Sequence, residues 1–411
     1  MATNKKIPKC PPLRFPQFND EWKQTTLGEL LNFYSTNSYS WNQLDYKHGS
    51  IYNVHYGLIH KGLPTICSLD KVKLPLIKEE IDINKYTMCK AGDLIIADAS
   101  EDTDDVGKAI EIVECEDKQV VAGLHTIHAR SKRCITSLGF KGYLLASKGI
   151  KEQIRQVAQG TKVYSISAKL LAPLIASLPS LAEQEKVASF LSLIDERIES
   201  CSETIKEIKT LKAGLLSLRV YQADKQYVPL SYFGEMKHGY PFKSTSYDED
   251  GTHRIVTISN VSGARYADMS KCNYLAELPH DIQQHQILSR NDILISLTGN
   301  VGRVSFCLAD GDLLNQRVGV LSLCDEAYKE YIYQVLSDWR FEMSMVACGQ
   351  GAAQLNISKS NVDGYLVPYE QSEYQEIGNF FSLLDDRIEI EEELLKQYEM
   401  QKKYLLRQMF I

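Results

Sequence analysis

The chain has 411 residues, room for two or three domains, and its 44% hydrophobic and 24% charged residues are the balance of an ordinary globular protein. Its formal net charge of −7 weighs against a uniformly basic nucleic-acid binder but leaves room for local basic patches. There is no run of about 20 apolar residues, no apolar stretch behind the basic start MATNKKIPKC and no CxxC among ten cysteines; membrane spans, a signal peptide, a zinc ribbon and a disulfide framework are not expected, and a reducing cytoplasm is.

Residues 1–25 are a Pro-rich opening segment, extended and ending near Trp22. Residues 26–158 read as a first globular domain. It opens with LGELLNFY, a short helix, and continues through strands in SIYNVHYG, DLIIADAS and KAIEIVE to a helix over Lys141–Gln159. Residues 159–226 hold the loop QGTKVYSIS, a strand-like LLAPLIASLP and a long helix to about Leu218. From residue 227 the pattern restarts: VPLSYFGEMKHGYPF, HRIVTISNVSG and GRVSFCL lead to a helix from about Ala327 to Cys348, which closes a second domain over 227–348. Residues 349–411 then repeat the QG loop and the long helix.

The repeat governs the reading. Gly160 matches Gly351, Ile166-Ser167 matches Ile357-Ser358 and Gln184-Glu185 matches Gln375-Glu376, at an offset of about 191. After a one-residue gap Asp195-Glu196-Arg197-Ile198 matches Asp385-Asp386-Arg387-Ile388. Inside the domains Ala91-Gly92-Asp93-Leu94 answers Arg290-Asn291-Asp292-Ile293, and Val106-Gly107-Lys108 answers Val301-Gly302-Arg303. The first long helix carries Val187, Leu191, Ile194, Ile198, Cys201, Ile205 and Ile208 at alternating spacings of four and three; Ile377, Phe381, Leu384, Ile388, Leu395, Tyr398 and Leu405 keep nearly that beat in the second. This is a coiled-coil seam, and a lone helix would leave it in water, so each helix takes the other as partner. The fold class is α+β: two similar mixed α/β domains, with two long helices of about 50 Å between them.

Catalytic motifs are missing. There is no GxGxxG after a strand, no GxxxxGK[ST], no HExxH, and no NPPY or DPPY tetrapeptide. His125 and His128 form an HxxH with no third ligand evident, which suits packed strand histidines. The acidic loop Asp98–Asp105 lacks the glycine and terminal glutamate of a calcium loop and reads as solvated. The basic clusters are Arg130, Lys132 and Arg133, and Lys141, Lys148, Lys151 and Arg155. Lys108 and Arg303 each follow a glycine, which lets backbone approach a phosphate closely; an ordinary turn with a solvated cation uses the same pair. Gln159, Thr161, Lys162 and Tyr164, with Gln350, Gln354 and Asn356, are hydrogen-bonding residues in the QG loops, suited to base edges and equally to loop capping.

With the duplicated QG…IS…FLSLIDERIE unit, the paired DLII/DILI and VGK/VGR segments and the opening PPLRFPQFNDEWKQTTLGEL in view, the chain resembles a type I restriction-modification specificity subunit over nearly its full length. The resemblance implies two target recognition domains, each reading one half of a split, asymmetric double-stranded DNA sequence, and long helices packed as an antiparallel coiled coil that set the spacer. It implies a non-catalytic chain that binds no cofactor itself. Two adenine methyltransferase subunits would bring S-adenosylmethionine, and restriction subunits ATP and magnesium; no membrane partner is implied. The acidic run Glu391-Glu392-Glu393 is then expected to dock methyltransferase. A competing reading is a coiled-coil scaffold that binds only proteins, which the net acidity favours but two divergent domain copies do not explain. A stand-alone methyltransferase or nuclease lacks its motifs.

Overall fold

The computed structural model describes residues 10–78, 86–115, 118–222, 225–349, 355–369 and 372–411. The chain divides into two compact units. Unit 1 ends at Cys201 and also takes Leu394–Ile411; unit 2 spans Ser202–Glu393.

Unit 1 is built on a five-stranded sheet in the order Leu31–Tyr34, Thr126–Ser131, Leu94–Ala97, Ala109–Glu114, Ile66–Ser68. A second sheet pairs Val120–Ala122 with Ile51–Val54 in parallel, and Ile51–Val54 with Leu76–Ile77 antiparallel. Strand Lys23–Thr26 pairs antiparallel with Ile175–Leu178, so the end of the opening segment is hydrogen-bonded to the stretch just before the first long helix. The expected helix at LGELLNFY is one turn only. Thr26 and Glu29 form a capping box over Leu27–Leu30, and Leu31 then turns extended to join the sheet, where strand pairing with Thr126–Ser131 overrides helix propensity. The segment Lys141–Gln159 is likewise two helices, Phe140–Ala146 and Lys148–Val157, divided at Ser147.

Unit 2 repeats the plan. Its sheet runs Gly234–His238, Val318–Leu323, Ile293–Ser296, Val304–Phe306, strand for strand the order of unit 1's first four. His253–Val256 and Leu313–Leu314 reproduce the parallel pair, and Tyr227–Pro229 with Leu366–Pro368 reproduces the closing antiparallel pair. Even the turn before the central strand matches: Gly92 (φ 86°) and Asn291 (φ 66°) both stand in the left-handed region that glycine and asparagine tolerate best. The helix expected over 327–348 is again two, Lys329–Leu336 and Trp339–Cys348, with Asp338 capping the second.

The long helices are Leu181–Arg219 and Tyr374–Gln408. In unit 1 Val187, Leu191 and Ile194 are buried in one core with Leu405, Met409 and Phe410. In unit 2 Leu216 and Val220 are buried with Ile377 and Phe381. Ion pairs in unit 2 join Lys209 to Glu392, Lys212 to Asp385 and Arg219 to Glu373, partner numbers falling as helix numbers rise, so the two segments are antiparallel. The opening segment docks on the same helix in unit 1: the Arg14 guanidinium grips the buried Glu183 carboxylate through Nε and Nη2 at 2.6 and 2.7 Å, and Phe15 stacks edge-on against Phe190.

Candidate nucleic-acid interface

The repeated aspartate of the Asp-Glu-Arg-Ile and Asp-Asp-Arg-Ile segments ties each long helix to its domain. In unit 1 Asp195 accepts a hydrogen bond from the Tyr143 hydroxyl at 2.8 Å and pairs with Lys402 at 2.6 Å. In unit 2 Asp385 accepts from the Gln334 amide at 2.7 Å and pairs with Lys212 and with Arg265 at 3.0 Å. Tyr143 and Gln334 are the same position in the repeat. Unit 2 adds Arg265, whose guanidinium also pairs with Glu330 at 3.0 Å and lies over the rings of Phe306 and Tyr333. Sequence reasoning recorded the motif but not this role; the repeated aspartate on an otherwise apolar helix face is the signal that could have revealed it.

Above this frame lie the residues singled out from sequence. The Gly-Lys and Gly-Arg corners are turns with φ of 74° at Gly107 and 79° at Gly302. A Cβ on Gly107 would lie 2.9 Å from the Ile154 side chain and one on Gly302 2.8 Å from Met345. The close approach that needs glycine is therefore to the neighbouring helix of the same unit. Lys108, partly exposed, lies 3.9 Å from Asp105, and Arg303 lies 3.6 Å from Glu342.

The first QG loop is a tight exposed hairpin. Gln159 and Ser165 exchange backbone hydrogen bonds of 2.9 and 2.7 Å, and a Cβ on Gly160 would strike the Val163 carbonyl. Gln159, Thr161 and Lys162 face solvent, Tyr164 is half-buried, and Ile166 anchors the loop in the core. Tyr164–Ser165 pairs with Ala99–Ser100, which sets this loop beside the acidic one. There Asp104 pairs with Arg155 and Asp105 with Lys108, so part of the acidity is answered locally. In unit 2 Gln350 and Gln354 lie outside the described residues. Asn356 is exposed and bridges to Thr298, and Ile357 donates to the Leu297 carbonyl at 3.0 Å, as Ile166 does to Asp98 at 2.8 Å. The structure thus gathers Lys108 and the first QG loop around one acidic loop, and sets Asn356 beside the Leu297–Asn300 turn in the other unit.

Each basic cluster loses a member to the interior. Lys141 is buried, its ammonium 2.8 Å from Glu111. Arg130 makes a two-pronged pair with the buried Asp93 at 2.7 Å on each oxygen. A cation in an apolar helix or strand serves the interior when a carboxylate waits there, and sequence proximity cannot show that. The HxxH splits in the same way: His128 is buried on its strand, 2.8 Å from Asp93, while His125 precedes the strand at φ 54° beside Asp98. Cys89, Asp93 and His128 bring their ligand atoms within 4.8 Å of one another. Both carboxylate oxygens already accept from Arg130, and His128 shares one, so a guanidinium takes the place a cation would fill. Burial on its own pushes the Asp93 carboxyl up, but Arg130, His128 and the Lys90 backbone N–H outweigh it and hold the group below the usual range.

Of the three acids expected to face a partner, Glu391 is buried and ion-paired with Arg387, and Glu392 pairs with Lys209 at 2.6 Å. Glu393 is exposed. No described helix is long and apolar enough to cross a membrane.

Residues 223–400 match the family model described as the type I restriction modification DNA specificity domain. The structure is similar to that of the S subunit of the type I restriction-modification system from M. genitalium, with a TM-score of 0.62 at 17% identity over 98% of this chain and 99% of that one. It is also similar to a chain from a structure describing complex assembly and conformational transition of the type I R-M system, with a TM-score of 0.53 at 14% identity over 96% and 98%. At these identities the two likenesses concern the fold, and they span both units. The family match falls on residues 223–400, most of unit 2, and the same sheet order recurs in unit 1.

Proposed function

We propose that the chain is the sequence-recognition subunit of a type I restriction-modification complex, and that each unit reads one half of a split, asymmetric target in double-stranded DNA. The observation that carries this reading is one framework bearing two different surfaces. Sheet order, parallel pair, closing strands and glycine corners agree between the units, whereas the acidic loop of unit 1 stands where unit 2 has Leu297-Thr298-Gly299-Asn300. Two copies of one reader with unlike loops suit a target with two unlike halves. Lys108, Gln159, Thr161, Lys162 and Tyr164 in unit 1, and Arg303, Gln350, Gln354 and Asn356 in unit 2, are the residues we assign to DNA contact. The long helices would set the spacing of the half-sites, near one helical turn or ~34 Å.

The chain itself would be non-catalytic. Adenine methylation would come from two methyltransferase subunits carrying S-adenosylmethionine, and cleavage from restriction subunits using ATP and magnesium. Docking of two equivalent partners agrees with a repeated exposed leucine: Leu193 is 58% exposed and Leu383, its match in the second copy, 68%. Leucines left in water at matching places, each two residues before the anchoring aspartate, suit partner helices. Glu391 is buried and Glu392 pairs within the chain, so these leucines carry the docking face.

Duplex binding measured with the methyltransferase partner tests the DNA reading. Affinity should fall steeply with salt and favour one split motif. Binding that ignores both salt and sequence would return the chain to the scaffold reading. Leu193→Asp and Leu383→Asp should each remove one methyltransferase copy by sedimentation, with folding unchanged; full stoichiometry in the double variant would reject the docking face.

A further inference from the structure

The two units part company on the outer face of one helix. In unit 1 the helix Lys148–Val157 carries Lys148, Lys151 and Arg155 at spacings of three and four, hence on one face. The matching residues of unit 2 are Trp339, Glu342 and Val346. Facing the unit 1 helix, the last turns of Tyr374–Gln408 bring Lys402, Lys403 and Arg407, and these six cations line an open cleft of about 550 Å³.

Three carboxylates share the cleft, Asp104, Glu152 and Glu399. Asp104 is taken by Arg155 and Glu152 lies 3.4 Å from Lys148, while Lys402 is held by Asp195. Lys151, Lys403 and Arg407 are in no ion pair among the described residues. Lys151 is half-buried, and burial with the nearby charges of Lys108 and Arg155 draws its ammonium below the ordinary lysine value against the pull of Asp105 and Asp104. Cations so gathered in a chain of net charge −7 leave a local demand for anion. The corresponding cleft of unit 2, about 510 Å³, makes no such demand: Lys209 is paired with Glu392, Lys212 with Asp385, and Arg265 with Glu330.

We propose that the unit 1 cleft is a phosphate-binding site with no counterpart in unit 2, built to hold phosphate groups without reading bases. Phosphate is the chemistry shared by a duplex backbone and by free phosphate; the duplex as source rests on the DNA-recognition reading above, whereas the phosphate chemistry does not.

The test uses the full chain, wild type and the triple variant Lys151→Gln, Lys403→Gln, Arg407→Gln, with Lys151→Arg, Lys403→Arg, Arg407→Lys as a charge-keeping control. In one arm, duplex affinity is measured against salt with the methyltransferase present. The neutral variant should lose about 2 to 3 from the slope of log affinity against log salt, so that its fall in affinity between roughly 50 and 200 mM is about 40-fold smaller. Its preference for target over scrambled duplex should stay within about 2-fold, since phosphate contacts carry no base information. In the other arm, inorganic phosphate is compared with sodium chloride at equal ionic strength for its effect on the melting midpoint. A reduced slope supports the cleft with the backbone as its ligand. An unchanged slope with phosphate-specific stabilisation, lost in the neutral variant and kept in the control, supports the cleft with free phosphate as its ligand. Neutral and control variants that match wild type in both arms overturn it. If wild type binds no duplex at any salt, the DNA reading fails and the phosphate arm alone decides the cleft.

Discussion

Asp195 and Asp385 occupy the same place in two copies of one sequence and do different amounts of work. Asp195 holds a tyrosine and one lysine at the edge of unit 1; Asp385 gathers a lysine, an arginine and a buried glutamine inside unit 2. Where Arg265 fills the centre, the cations of unit 2 are neutralised; where no such arginine enters, unit 1 keeps an open cationic cleft. Duplication preserved the anchor and let its surroundings diverge.

The largest effect should separate the two anchors. Asp385→Ala leaves the partly buried Lys212 without its acid and Arg265 with Glu330 in place of two strong partners, and should cost unit 2 about 3–5 kcal/mol. Asp195→Ala should cost unit 1 about 1–2 kcal/mol, since Lys402 can reach water. Denaturant unfolding reads this in each unit, through Trp22 and Trp41 in unit 1 and Trp339 in unit 2. Equal losses would mean that Arg265 adds nothing. Next, Gly107→Ala and Gly302→Ala should cost about 2–3 kcal/mol each, from left-handed backbone and overpacking against Ile154 and Met345. These two should be alike, and a tolerated alanine in either unit would break the shared-corner account.

The smallest effect is in pH. Asp93 and Asp292 are matching residues shifted in opposite directions, Asp93 downward and Asp292 upward; burial raises Asp292, and the Ser289 backbone N–H and Lys329 do not offset it. A depressed carboxyl stabilises the fold above its unfolded value, 3.8, and the stabilisation is lost as pH falls through the lower folded value. A raised one burdens the fold at neutral pH and is relieved as pH falls through the raised value. Asp93→Asn should therefore destabilise unit 1 at pH 7, with the gap closing below about pH 4. Asp292→Asn should be neutral or mildly stabilising at pH 7, with no gap in acid. Parallel pH curves for the two variants would contradict the assignment.

The duplicated plan, the buried seam and several strands, such as Leu94–Ala97 and Ala109–Glu114, were legible in the sequence because each depends on local period or on repetition. Ile377, Phe381 and Ile388 are buried as their spacing requires. What was not legible depends on partners far along the chain. Lys141 looks like surface charge until Glu111 is seen beneath it, and the glycine of Gly107-Lys108 looks like a ligand turn until Ile154 is seen against it. Leu27–Leu30 begins as a capped helix and yields after one turn because its neighbour in space is a strand. The cleft of unit 1 joins residues 148–155 to residues 402–407, a distance no window of sequence spans.

The central claim is that two divergent copies of one fold read two unlike half-sites. Methylation-sensitive genome sequencing of cells expressing this chain, with and without its cognate methyltransferase, tests it most directly. The account predicts a split adenine-methylated motif that needs both proteins, and a wider spacer with unchanged half-sites when a turn is inserted in both long helices. A motif with two identical halves, or none in the presence of an active methyltransferase, would contradict it.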